Sequence, residues 1–156
     1  MIEFGEPTAE DIDYLAEHLR AEDVREVRTL KPDADIRDTL QEAWDESQIT
    51  RVVRKDGKPV VIFGSGPTED VIASVGASAA DIWLLGTDDI KLNKMSFLKL
   101  SMKVIKEIAR PYDYLWNVVD PRNELHIRWL EWLGFSFPTE YKVDEDLNFL
   151  VAVRYT

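Results

Sequence analysis

The stretch from Tyr112 to Phe135, YDYLWNVVDPRNELHIRWLEWLGF, constrains the fold more than any other part of the chain. Leu115 to Val119 is a short, nearly continuous apolar run, as expected of a strand covered on both faces. Asp120 is placed to cap a helix whose first turn takes Pro121, and Asn123 is a second candidate cap. Leu125, Trp129, Trp132 and Leu133 then recur at helical spacing, with Glu124, Arg128 and Glu131 between them. Gly134 follows, where a helix favours a residue in the left-handed conformation as its stop. The whole reads as buried strand, short turn and amphipathic helix.

The flanking sequence supplies the rest of a sheet. Ile2 and Phe4 alternate with Glu3 as a first strand, and Thr8-Ala9-Glu10-Asp11 is an N-cap with acids in the first turn of a helix through Ile12, Leu15 and Leu19. Ala21 to Leu30 is charged and reads as a short helix or turn, and Ile36, Leu40, Ala43 and Trp44 give a second amphipathic helix. Ile49 to Arg54 and Pro59 to Phe63 are strands joined at Asp56-Gly57, with Gly64-Ser65-Gly66-Pro67 as the stop. The segment 68–80 suits a loop or a closely neighboured strand, and Ile82 to Leu85 is a further strand. A long helix starts at Asn93 or Lys94 and ends before Pro111; residues 136–143 and 147–155 read as a closing hairpin around Asp144-Glu145-Asp146. The resulting order is β-α-α-β-β-β-α-β-α-β-β, an α/β (α+β) chain with a mixed, mainly antiparallel sheet of six or seven strands and about four helices. Nothing in it reads as a linker or repeat, so 1–156 is expected to be one domain.

Composition removes several chemistries. The absence of cysteine excludes disulfides, thiolate metal sites and cysteine nucleophiles, and His18 and His126 are too few for a histidine metal cluster. No run approaches the length of a membrane span, Met1 leads directly into a strand-like segment, and a cytoplasmic setting is expected. A net charge of −11 argues against binding to a phosphate backbone. Residues 1–50 carry 15 acids against 5 bases, whereas 81–110 carry 4 acids against 6 bases, all six between Lys91 and Arg110. That cationic segment reads as a solvated helix face, or as the seat of an anionic ligand.

The element order, together with Asn123 followed eleven residues later by Gly134-Phe135, resembles the GNAT (Gcn5-related N-acetyltransferase) family. Within it, the wording LWNVVDPRNELHIRWLEWLGFSFPTEY is most similar to small GNAT-like proteins of short-tailed bacteriophages. The resemblance implies acetyl-CoA in a splay between the fourth and fifth strands. It assigns backbone groups at Leu84 and Leu85 to the pantetheine arm, the turn 88–94 with Lys91 and Lys94 to the pyrophosphate, and Asn123 to a pantetheine amide. Asn123 is equally a helix cap. Two departures stand out. The turn Asp88-Asp89-Ile90-Lys91-Leu92-Asn93-Lys94 has no glycine to let the backbone approach phosphate, and it begins with two acids. Leu130 occupies the position, seven residues after Asn123, where many members of the family carry a proton-donating tyrosine. His126 is the helix's one titratable group of suitable pKa, as a base or as a structural residue. Trp116, Trp129 and Trp132 read as core, with a ligand groove as the alternative.

Three functional readings follow. The first is a phage-type GNAT-fold protein with a degenerate acyl-CoA site that works through a protein partner, in the virion or the host. The second is an active acetyl-CoA-dependent N-acetyltransferase, and the third is an acidic docking surface built by residues 1–50.

Overall fold

The computed structural model of the chain describes residues 2–68, 78–138 and 149–155, and of 92 and 93 the backbone alone. In chain order come β1 (Ile2–Gly5), α1 (Ala9–His18), α2 (Ala21–Leu30), α3 (Ile36–Glu46), β2 (Ile49–Lys55), β3 (Lys58–Pro67) and β4 (Ala79–Gly86). A 3-10 helix at Asp88–Asn93 leads into α4 (Lys94–Ala109), then β5 (Tyr114–Val119), α5 (Glu124–Trp132) and β6 (Leu150–Tyr155). The six strands join in chain order, antiparallel at β1–β2 and β5–β6 and parallel at β4–β5. The parallel pair β4–β5 needs a crossover, and α4 is that crossover. This is the mixed, mainly antiparallel sheet expected from the sequence. The hairpin arm beyond residue 138, its turn at 144–146, Tyr141, and the part of the 68–80 segment at 69–77 lie outside the described residues.

The chain divides into two compact units, Met1–Gly64 with Trp83–Phe97, and Ser65–Ile82 with Leu98–Thr156. In the first, Thr8 opens α1 with a reciprocal cap: its N–H donates to Asp11 Oδ2 at 2.8 Å and the Asp11 N–H donates to Thr8 Oγ1 at 3.2 Å. Asp11 is buried, and Arg54 of β2 meets it with Nε at 3.1 Å from Oδ1 and with an ion pair to Oδ2. The same guanidinium donates to the Glu6 carbonyl at 2.9 Å, so one side chain fastens the entry of α1 to the sheet. Below it, Ile12, Leu15, Leu40, Val52 and Ile62 form a sealed cluster, with Trp44, Trp83 and Leu85 packed against it.

Two elements differ from the sequence reading, each for a local reason. Ala21–Leu30 is a full ten-residue helix, because its charged residues Asp23 and Glu26 turn inward and are buried. Strand β3 continues through Gly64-Ser65-Gly66-Pro67 instead of stopping there. A Cβ at Gly64 would stand 2.8 Å from Trp83 Nε1 and 2.9 Å from the Ile49 carbonyl, so the glycine serves close packing rather than a turn. The Asp56-Gly57 turn is as expected, with positive φ of 51° and 81° at its two residues.

In the second unit, β6 matches β5 at all six positions, from Tyr114–Tyr155 to Val119–Leu150. Strand β5 alternates, with Leu115, Asn117 and Val119 buried and Tyr114, Trp116 and Val118 half-buried, so one of its faces is less covered than the apolar run suggested. Trp116 uses its indole N–H on Thr68 Oγ1 at 2.9 Å. Helix α5 ends as expected: Gly134 has φ 90°, its N–H donates to the Glu131 carbonyl, and the Phe135 N–H donates to the Leu130 carbonyl at 3.0 Å.

Burial works to raise the Asp11 carboxyl, but hydrogen bonds from Arg54 and Thr8, with the charge of Arg54, outweigh it and hold the group below its ordinary value of 3.8. A depressed native pKa contributes stability that is complete above the unfolded value and disappears as pH falls through the native one. Asp11→Asn is therefore expected to be less stable than the native chain at pH 7, with the gap closing on acidification below about pH 4. Urea denaturation across that range measures it; a pH-independent gap would refute the assignment.

Candidate functional site

The end of β4 is held by the chain's own helices. The Gly86 carbonyl accepts from the Arg20 N–H at 2.9 Å, and the Gly86 N–H donates to Asp23 Oδ2 at 2.9 Å. Leu19 and Thr87 form an antiparallel bridge beside them. Arg20 and Asp23 are 2% and 1% exposed, and Arg20 Nη1 lies 3.6 Å from Asp23 Oδ2. Along a strand, the N–H and C=O of one residue point to one edge and those of the next residue to the other. Thr87 donates its N–H to the Val60 carbonyl of β3 at 2.8 Å, so Leu85 shares the β3 edge, whereas Leu84 shares its edge with Gly86. An extended ligand adding along that edge meets Leu84, and then a rung already filled by the α1–α2 junction. The Leu84 side chain is buried, and that of Leu85 packs on the cluster beneath α1 and α3.

Past Gly86 the backbone forms the 3-10 helix Asp88–Asn93 rather than an open, glycine-lined loop. Ile90 anchors it, 1% exposed, with its N–H on the Thr87 carbonyl at 3.2 Å. Asp88, Asp89, Lys91 and Lys94 are exposed. The Glu22 carboxyl is lowered chiefly by a hydrogen bond from its own backbone, against the effect of burial, with the charges of Arg20 and Lys91 adding to it. Lys91 therefore already has an acidic neighbour in the protein.

Asn123 and His126 belong to the second unit, at the start of α5. Asp120 does not cap α5 itself: its Oδ1 accepts from the Arg122 N–H at 2.9 Å, which closes the turn before the helix. Asn123 stands at the cap position, completely buried, with its carbonyl accepting from Ile127 at 3.1 Å. The buried face of the helix comprises His126, Trp129, Leu130 and Leu133, one position away from the stripe read in the sequence, and Trp132 is 46% exposed. Leu130, where the resemblance places a proton donor, is in the core.

His126 is 2% exposed, and its Nε2 lies 3.1 Å from Asn117 Nδ2. The Asn117 amide is oriented by its other end, because Oδ1 accepts from the Val118 N–H at 2.8 Å. Nδ2 must then donate, so His126 Nε2 presents a lone pair and the neutral ring carries its proton on Nδ1. Asn117 was missed in the sequence, where it sits inside an apolar strand; one polar residue in that run was the available signal. Asn117→Leu strips a partner from both His126 Nε2 and the Val118 N–H, at about 1–3 kcal/mol for each buried group left unsatisfied. Asp23→Ala removes the acceptor of the Gly86 N–H and one of the two acids paired with buried Arg20, Glu22 remaining 3.5 Å from Arg20 Nε, a loss of about 1–3 kcal/mol. Chemical denaturation of both variants is expected to show losses of this order, and losses within experimental error would contradict the buried pairings.

Among the described residues, no group of three or more His, Asp or Glu is gathered to hold a metal ion, and no helix is long and apolar enough to cross a membrane. The candidate residues divide between the units, Leu84, Leu85, Lys91 and Lys94 in the first and Asn123 and His126 in the second.

Residues 61–142 match the family model described as bacteriophage T7, probable scaffold protein Gp13. The probable scaffold protein gp13 of Escherichia phage T7 is 30% identical over 86 residues, which cover 52% of this chain and 62% of that protein. The match therefore spans less than two thirds of the relative. Among solved structures, aminoglycoside acetyltransferase AAC(6')-Ib in complex with coenzyme A aligns over 99% of this chain and 95% of its own, at TM-score 0.67 and 18% identity. An acetyltransferase of the GNAT family from Streptococcus pneumoniae aligns over the full length of both chains, at TM-score 0.60 and 12% identity. The fold is that of the GNAT acetyltransferases.

Proposed function

The chain belongs to the family of the phage T7 probable scaffold protein Gp13, and from that premise we propose that it is an assembly protein on a GNAT fold whose acyl-CoA site is degenerate. Its work is done through contacts with a protein partner, a virion or host protein, in the host cytoplasm or the phage particle. Residues 1–156 act as one domain in this role, since β3, β4 and α4 each run through both units.

The observation that carries the reading is the occupied rung at Gly86, where both backbone groups serve Arg20 and Asp23. Three further features point the same way. The segment meant for a pyrophosphate is a 3-10 helix without glycine that starts at Asp88-Asp89, so it lacks the ring of close, oriented amides that phosphate binding needs. Lys91 has Glu22 as a neighbouring charge. Leu130 has no ionisable proton to give, and the His126 lone pair on Nε2 is spent on Asn117. These residues do not fit an acyl-CoA ligand.

The second reading, an N-acetyltransferase, is favoured by the coenzyme A bound in AAC(6')-Ib. In that case Leu84, Lys91, Lys94 and Asn123 hold the cofactor. Calorimetric titration of acetyl-CoA and CoA separates the two. No heat at millimolar ligand is expected. Micromolar binding that Asn123→Ala weakens tenfold or more, about 1.4 kcal/mol, would overturn the proposal and establish the enzyme.

A further inference from the structure

Helix α4 carries Lys99, Lys103 and Lys106 at steps of four and three residues, which places them within one narrow arc of its surface, and Arg110 follows directly after its last residue, Ala109. All four are exposed, and no ion pair among the described residues involves them. The inner face of the same helix is engaged, with Val104, Ile105 and Ile108 buried, so among the described residues the cationic arc is an exposed surface, with Glu107 as the one acid of the same helix. The stripe is about 16 Å long. Like charges at this spacing repel along a helix, at a few tenths of a kcal/mol per pair.

Helix α3 carries the counterpart. Asp38, Glu42, Asp45 and Glu46 are exposed on its outer arc, opposite the buried Leu40, over about 12 Å. Arg37 donates to Asp13 of α1 at 2.6 Å while its charge also reaches Asp38, and the Gln41 amide donates to Asp45 at 3.0 Å. The chain thus presents two exposed rows of opposite charge, three lysines of α4 continued by Arg110 and four acids of α3.

We propose that the cationic row of α4 docks on the acidic row of α3 in a second copy of this chain, forming a head-to-tail contact. The inference rests on the assembly reading and names its partner. Local charge complementarity argues for this occupant, because the acidic row of α3 is opposite in sign to the cationic row and offers it four exposed carboxylates along one helix. The surfaces that meet are different ones, so each copy keeps one of each available and the contact propagates into a ring or an open chain.

Sedimentation velocity tests it. The native chain is expected to self-associate at about 50 mM salt and to return to the slower species at about 500 mM, where charges are screened beyond a few ångströms. K103E/K106E and D38K/E42K are each expected to lose association at least tenfold. An equimolar mixture of the two variants restores it, since each reversed row again meets its opposite. Far-UV circular dichroism confirms that both variants are folded. No association of the native chain, association retained in either variant, or a mixture that fails to recover would overturn the proposal. So would native binding of double-stranded DNA at the same salt that K103E/K106E abolishes. Failure here with acetyl-CoA still giving no heat leaves the assembly reading intact, whereas acetyl-CoA binding removes that reading whatever the sedimentation result.

Discussion

Two hydrogen bonds at Gly86 are the constraint on which much of the remaining structure depends. They require the chain to bring Arg20 and Asp23 to the end of β4, and both side chains are buried there. Burying a charged pair is costly unless its hydrogen bonds are met inside the protein. Asp23 meets that condition by accepting from a backbone N–H that has no strand partner on that edge, which makes α2 a tertiary necessity rather than a product of helix propensity. The same two bonds leave β4 one rung shorter on the side where a bound extended chain would lie.

Fold and function separate clearly in this molecule. A GNAT sheet is recovered at 12–18% identity in enzymes of that class, so backbone architecture survives nearly complete change of sequence. Function rests on the particular atoms that occupy the site. Here the carbonyl and amide of Gly86 bond to Arg20 and Asp23, and Asn117 bonds to His126, so these groups make contacts within the protein.

The architecture was legible where a local signal had one physical meaning. The capping box at Thr8, the Asp56-Gly57 turn and the glycine stop at Gly134 each depend on neighbours in sequence, and each stands where the residues said it would. Readings drifted where a distant partner decides the outcome. Gly64-Ser65-Gly66-Pro67 resembles a turn until the Trp83 ring lies on Gly64; Ala21–Leu30 looks merely charged until Asp23 finds Gly86. The register of α5 shifted because His126, polar by composition, is buried and Trp132 is exposed. The candidate site was hidden for the same reason: its decisive groups are backbone atoms and an asparagine inside an apolar strand, neither of which forms a motif.

The division of the chain into units carries a consequence for the order of synthesis. The path leaves the first unit after Gly64, returns at Trp83 and leaves again after Phe97, so neither unit is a continuous stretch. Compact units fold as wholes while the ribosome extends the chain from its N-terminus. The unit that contains the acidic face of α3 can close once Phe97 has emerged, and the row that begins at Lys99 follows immediately behind it. A nascent chain therefore carries its acidic helix before its own cationic row exists.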